Sequence, residues 1–250
     1  MQNPTKRKPH AALQPKGRLP KAEKIRRLLE LPAANARPIR LLEIGTGSGA
    51  IAQYFAVQSD FDCEVDAVDV VDQRKVLDGY RFMLVEGAIL PFDNARFDVV
   101  ISNHVLEHVG DRSAQVEHLR EISRVLRDDG LAYLATPNRW QVVEPHYHLA
   151  FLSWLPRSIR SSYLRLRERG DYYDCEPLGM FELEPMLSTA GFRYSNVCES
   201  AFRALLDIEK PKSLILRMLG RLPDGWFGRM RAICPTHIYI LRRTDGRTIG

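Results

Sequence analysis

Close cysteine pairs are missing from this chain: Cys63, Cys175, Cys198 and Cys234 are widely spaced, with no Cys-x-x-Cys among them. That spacing excludes the disulfide framework of a small secreted domain and leaves four reduced thiols, as expected of a cytoplasmic protein. Long apolar runs are also missing, none reaching the roughly 18 residues of a membrane span. The first twenty residues are rich in Pro and Lys and have no apolar core, so neither a standard secretion signal nor an integral membrane segment is expected. No internal repeat is present. Acidic residues are scarce at the N-terminus, where Met1 to Arg40 sets eleven Lys and Arg against only Glu23 and Glu30. This stretch therefore carries +9 of a chain whose net charge is +5, leaving residues 41–250 at −4. The basicity belongs to a head, read as disordered over residues 1–20 and able to touch phosphates or the anionic inner face of a membrane. The body gives no support for nucleic-acid binding.

Against these absences stands one dense stretch, Leu41-Leu42-Glu43-Ile44-Gly45-Thr46-Gly47-Ser48-Gly49. An apolar strand ends in an acid and three alternating glycines, and helical signal resumes at Ala50. Glycines let the backbone turn sharply and approach a ligand, and the helix start that follows offers backbone N–H groups to a bound cofactor. The loop alone also satisfies the G-x-G-x-x-A pattern of NAD(P)-dependent oxidoreductases, so its neighbours must decide.

At 250 residues and 45% hydrophobic composition, one α/β domain with insertions is expected rather than two domains. A packing helix at Lys21–Leu31 precedes strands at Ile39–Ile44, Glu64–Asp69, Arg81–Val85, Phe97–Ser102 and Leu131–Ala135. A helix from Gly49, a short helix after Asp72 and a helix at Ser113–Leu126 alternate with them, and Asp128-Asp129-Gly130 reads as a turn. This βαβ rhythm predicts a parallel sheet. After Thr136-Pro137-Asn138 come an irregular stretch, a helix near Phe181–Ala190, a strand at Phe192–Val197, a second irregular stretch and a last strand at Thr236–Leu241.

Asp69 ends the second strand twenty residues after Gly49, where a carboxylate can accept both ribose hydroxyls of an adenosine. The third strand runs into Glu86-Gly87-Ala88-Ile89-Leu90-Pro91-Phe92, and the fourth into Phe97-Asp98-Val99-Val100-Ile101-Ser102-Asn103-His104-Val105-Leu106-Glu107-His108-Val109. In this order the segments resemble the class I S-adenosylmethionine-dependent methyltransferases, especially the small-molecule group that includes quinone-biosynthesis O-methyltransferases. The resemblance runs without a gap from residue 39 to 138. It implies a Rossmann-like α/β fold: a seven-stranded, mostly parallel sheet with a final antiparallel strand, helices on both faces and helical cap insertions at 139–180 and 200–235, all within a domain spanning 21–250. It further implies S-adenosyl-L-methionine as cofactor, with Gly45, Thr46, Gly47 and Gly49 under the methionine part, Glu43 anchoring the loop, and Asp69 and Val70 at the ribose. Glu86, where the family usually has Asp, and Gly87 would meet the adenine, while Asn103 and His104 would line the methionine end and the mouth of the acceptor site. An Asn/Asp-Pro-Pro-Tyr segment is absent after strand four, which argues against amino-methyltransferases of DNA, glutamine and adenine. A catalytically silent module that kept the fold is the competing reading from another class.

Transfer to a hydroxyl needs a base, and His104, His108 and His148 are the catalytic candidates. His104, Glu107 and His108 fall at i, i+3 and i+4, with His146 and His148 following strand five on the same sheet edge. His104, Glu107, His108 and His148 are accordingly the candidate ligands of a divalent metal, against a competing role in packing and hydrogen bonding. His10, His118 and His237 have no such context. Both insertions interleave arginines with large apolar residues: Arg157, Arg160, Arg165, Arg167 and Arg169 among Trp154, Tyr163, Leu164 and Leu166, then Lys212, Arg217, Arg221 and Arg229 among Leu219, Leu222, Trp226 and Phe227. Such segments pack as lid helices, lie on an anionic membrane surface, or close over an amphiphilic substrate. The expected acceptor is a small or lipid-linked molecule.

Overall fold

A computed structural model of the chain describes residues 15–31, 37–58, 60–210, 213–221, 223, 225, 228 and 230–244. Residues 1–14, with His10 and most of the basic head, lie outside them, as do Lys212, Leu222, Trp226, Phe227 and Arg229.

The sheet contains seven strands: β1 (Ile39–Ile44), β2 (Cys63–Asp69), β3 (Arg81–Leu84), β4 (Phe97–Asn103), β5 (Leu126–Pro137), β6 (Phe192–Asn196) and β7 (Thr236–Arg243). Their order is β3-β2-β1-β4-β5-β7-β6. The pairings from β3 to β5 are parallel, and β7 runs antiparallel to both β5 and β6. β1 and β4 are buried at all but one or two positions, as strands covered on both faces must be. Alternate residues point to opposite faces. Leu42 and Ile44 join one core with helices α3 (Arg112–Val125) and α5 (Met180–Thr189). Leu41 joins the other, beneath α1 (Leu19–Leu29), α2 (Ala50–Ala56) and α6 (Cys198–Glu209).

Four local expectations are corrected. Helix α1 begins at Leu19, after a 3₁₀ turn at Pro15–Arg18, so ordered structure reaches into the segment assigned to the head. No helix follows Asp72: Val70, Val71 and Leu77 are exposed, which leaves that stretch no apolar face to bury. The loop is held instead by Lys75 and Val76 N–H groups on the Ser48 carbonyl (2.9 and 3.1 Å) and by Tyr80 Oη on the Val76 carbonyl (2.5 Å). Asp128-Asp129-Gly130 is a bulge inside β5, where the partner of β4 jumps from Leu126 opposite Phe97 to Leu131 opposite Val99. The second insertion does not begin as a cap, because α6 buries Cys198 and Ala201 in the core shared with Ala22 and Ile25 of α1.

The first insertion builds a small core of its own from Tyr147, Leu149, Leu152, Leu164, Tyr173 and Cys175, around α4 (Arg157–Leu166). Arg160 is almost completely buried there, donating from Nε to the Leu155 carbonyl (2.8 Å) and from Nη2 to the Ser153 carbonyl (3.2 Å). It is therefore an internal tie and not part of a wet basic face. No helix among the described residues is long and apolar enough to cross a membrane.

Two histidines lie inside the body of the fold. His118 of α3 is 3.2 Å from Ser102 Oγ, and His237 of β7 has no hydrogen-bond partner on either ring nitrogen among the described residues. Burial lowers both to a pKa of about 4 from the ordinary 6.5. Their stabilising contribution is thus complete above pH 6.5 and is lost as the pH falls toward 4, at up to about 3 kcal/mol each. Urea unfolding across that range is expected to show this loss, and a His118→Gln, His237→Gln double variant to flatten it; an unchanged slope would contradict the assignment.

Candidate active site

The carboxyl ends of β1, β2, β4 and β5 meet at one edge, because their pairing is parallel and in register. Gly45, Gly47 and Gly49 have φ of +75°, +54° and +81°, values that a side chain resists. A Cβ on Gly45 would strike Val105, and one on Gly49 would strike the Tyr80 hydroxyl and the Val76 carbonyl. The loop is therefore as close to its neighbours as a backbone can be. Thr46 Oγ1 and the Gly45 N–H both donate to the Val68 carbonyl (3.1 and 2.9 Å), pinning the loop to β2. Asp69 completes the turn: Oδ2 accepts from Gly47 N–H at 2.9 Å and Oδ1 from Val70 N–H at 2.7 Å. Val70 is exposed beside it, as are Glu86 and Gly87 at the end of β3, where Gly87 has a φ of +73° and open space around it.

Glu43 faces the α1/α2 side of the sheet and is almost fully buried, yet its Oε2 has no hydrogen-bond partner among the described residues. Burial raises its pKa to about 8, partly opposed by the positive charge of Arg18. Arg18 reaches this position from the turn before α1, a proximity set by tertiary packing that no local pattern announces. A buried acid with an orphaned oxygen, beside a glycine loop too tight for side chains, fits a cofactor that presents a cation and polar edges.

Asn103 ends β4 buried, and the chain then enters His104 at φ +59°, a strained conformation for a residue with a side chain. His104 Nδ1 lies 3.2 Å from Oε1 of Glu107, and Thr136 Oγ1 of β5 donates to Oε2 at 3.1 Å. Glu107 has no exposure. Burial alone would raise its pKa, but the hydrogen bond from His104 and the neighbouring imidazoles of His104 and His108 outweigh it and hold the acid at about 2.

His108 takes a different direction. Its ring lies 5.0 Å from that of His146, edge to face, and its Nδ1 is 3.7 Å from Cys175 Sγ. His148 is corrected as a member of this set: the segment after Glu144 wraps around that carboxylate, whose Oε2 accepts from the His146 and Tyr147 N–H groups (2.9 and 2.7 Å). The wrap turns His146 inward and leaves His148 exposed at φ +54°. Of the four residues expected as metal ligands, only His108 belongs to the donor cluster present among the described residues, with His146 and Cys175. Cys175 was invisible as a site residue in the sequence, since nothing in the spacing of 108, 146 and 175 signals a common point.

A mostly parallel sheet in this strand order, with an antiparallel β7, a glycine loop after β1 and an acid closing β2, defines the class I methyltransferase fold. A methyltransferase-domain family model matches residues 17–176, and the chain belongs to that family. It is 34% identical over 110 residues to a probable S-adenosylmethionine-dependent methyltransferase of Mycobacterium tuberculosis, covering 43% of this chain and 38% of the relative. It is 27% identical over 195 residues to a ubiquinone biosynthesis O-methyltransferase of Parvibaculum lavamentivorans, covering 71% and 69% of the two. Among solved structures, a putative sarcosine dimethylglycine methyltransferase from Galdieria sulphuraria shares the fold at a TM-score of 0.55 and 14% identity, over 92% of this chain and 88% of that one. S-adenosylmethionine is the cofactor of this class.

Glu43 gives the site a pH signature. A cofactor ammonium placed against Glu43 would favour its ionised form, so binding through this acid below pH 8 would release a proton. Affinity for S-adenosylhomocysteine is expected to rise by up to about tenfold per pH unit between pH 6 and 8 and then level off. Glu43→Gln should flatten that rise in calorimetric titrations; the same slope in the variant would remove Glu43 from the site.

Proposed function

We propose that this chain transfers a methyl group from S-adenosylmethionine to an oxygen of a small or lipid-linked acceptor, with His104 as the base. The observation that carries the reading is the His104–Glu107–Thr136 chain at the sheet edge, directly after the strand that neighbours the glycine loop. Glu107 is ionised and accepts from Nδ1–H, which fixes the imidazole tautomer and leaves Nε2 with its lone pair free to take a proton. This is the logic of a base oriented by a buried acid. The bound cofactor supplies an electrophilic methyl group; the protein supplies position, a proton acceptor and a site shielded from water. Asp69 and Glu86, at the ends of β2 and β3, are assigned to the ribose hydroxyls and the adenine amine, and Gly45 and Gly47 to the methionine part.

Oxygen as the acceptor atom is supported by the relative named as a ubiquinone biosynthesis O-methyltransferase. An amphiphilic acceptor is supported by the cap surface, where Trp140, Val142, Val143, Phe151, Trp154 and Ile159 are all exposed. Phe151 and Trp154 stack edge to face at 4.9 Å, and Arg157, three residues further along the chain, has an exposed side chain 3.6 Å from Glu176. Aromatics with a cation nearby in the chain suit an apolar tail bearing an anionic or polar head. That surface also suits contact with the inner membrane face.

Two variants separate binding from chemistry. Asp69→Ala is expected to weaken S-adenosylhomocysteine binding by about 1–3 kcal/mol. His104→Ala should weaken that binding far less than Asp69→Ala does, while lowering the rate of methyl transfer to a quinol acceptor at saturating cofactor by roughly 10²- to 10⁴-fold. A rate that survives His104→Ala would leave the residue a scaffold and withdraw the general-base reading.

A further inference from the structure

The geometry points to a zinc site formed by His108, His146 and Cys175, which pins the first insertion to the carboxyl edge of the sheet. One donor atom from each of the three lies within 4.8 Å of the others, and Cys175 Sγ is already 3.7 Å from His108 Nδ1. Around tetrahedral zinc, with bonds of about 2.0–2.1 Å to nitrogen and 2.3 Å to sulfur, neighbouring donors are separated by roughly 3.3–3.6 Å. Small side-chain rotations close that difference. A thiolate with two imidazoles is a soft donor set that favours zinc over magnesium or calcium.

The surroundings suit a cation. Asp174 Oδ1 is 3.6 Å from Cys175 Sγ, Glu107 Oε1 is 4.0 Å from His146 Nε2, and the Glu144 carboxylate holds the His146 backbone at 2.9 Å. Three carboxylates thus border two histidines and a thiol, a negative setting that a dication would neutralise. These acids also occupy the positions from which outer partners orient ligands. Three protein donors leave a fourth position for water or a further ligand. A small opening beside the cluster is lined by Gly110, Arg157, Tyr173 and Cys175 among others.

The three donors come from two parts of the molecule. His108 follows β4 on the sheet edge, while His146 and Cys175 flank the small cap core near its two ends. A zinc ion would therefore close the loop between residues 146 and 175 and tie it to the sheet. The inference uses no property of S-adenosylmethionine and stands apart from the acceptor proposed above.

The test uses the full chain, purified without a metal-binding tag, stripped, dialysed against zinc and assayed by elemental mass spectrometry. One retained zinc per chain is expected, with a clear rise in thermal midpoint over the stripped protein. Replacement by Co²⁺ should give a thiolate-to-metal charge-transfer band in the near ultraviolet, which Cys175→Ser abolishes and His146→Ala weakens. The cobalt spectrum of the unaltered chain needs no variant to fold, and circular dichroism checks the variants. No retained zinc, or a cobalt band that persists in Cys175→Ser, would overturn the site. Titration with S-adenosylhomocysteine in the same samples keeps the two proposals distinguishable: failure to retain zinc alongside normal cofactor binding defeats this site alone.

Discussion

The Glu107 carboxylate is the constraint on which this edge of the molecule depends. An ionised acid with no exposure costs several kcal/mol unless each oxygen is satisfied. Its two oxygens draw on donors from different strands, His104 after β4 and Thr136 of β5, so the acid sets how those two strand ends lie relative to each other. Its own carbonyl accepts the Glu176 N–H at 2.7 Å, and Gln115 of α3 spans the Leu106 and Glu176 carbonyls (3.2 and 2.8 Å). The far end of the first insertion is thereby attached to the same few residues. The left-handed backbone of His104 is tolerable in such a place, because its side chain and its N–H, bonded to the Ala135 carbonyl at 2.8 Å, are both fixed by neighbours.

What was legible in the sequence was whatever is decided locally. Glycines at 45, 47 and 49 announce positive φ, the apolar strands announce a doubly covered sheet, and the acid at 69 sits where a parallel neighbour must end. The order of strands and the antiparallel β7 came with the resemblance. The hidden features are those fixed at a distance. His146 and His148 are two residues apart in one segment, and only the capping of their backbone by Glu144 decides which of them turns inward. Cys175 joins His108 through the fold alone. Arg18 comes near Glu43 because α1 packs over the sheet, and a chain of leucines and lysines says nothing of that. The stretch after Asp72 looked helical by position in a βαβ rhythm, but with Val70, Val71 and Leu77 on the outside it had nothing to bury.

The two insertions solve the same problem in opposite ways. In α6 the small residue Ala201 packs in one core with Ala22 and Ile25 of α1, so this segment takes its stability from the main core. The first insertion keeps its apolar residues in a small core of its own and on an exposed surface, and is tied to the rest by buried polar groups. Asn138, fully buried, donates to the Ala232 and Cys234 carbonyls (2.8 and 2.9 Å) and fixes where the insertion leaves β5. Arg160 gathers the Ser153 and Leu155 carbonyls and lies 3.5 Å from Glu176 Oε2. Polar ties of this kind depend on geometry more than apolar contacts do, which suits a segment that must hold a fixed position over a site and still present an aromatic surface outward.

Two buried acids at one sheet edge end in opposite states for reasons visible in their partners. Glu107 has a donor on each oxygen and neighbouring imidazoles, so it stays ionised down to about pH 2. Glu43 has an orphaned oxygen and a single cation, Arg18, whose charge is outweighed by burial, so it keeps its proton up to about pH 8. Environments that push like groups apart also divide their work. The ionised acid can orient an imidazole, because it accepts and never donates. The protonated acid cannot rest in that state against a bound cation, so it is the one whose charge a ligand would change. The division requires only that one acid lie among histidines and the other beneath a glycine loop, and the parallel pairing of β1 with β4 places them so.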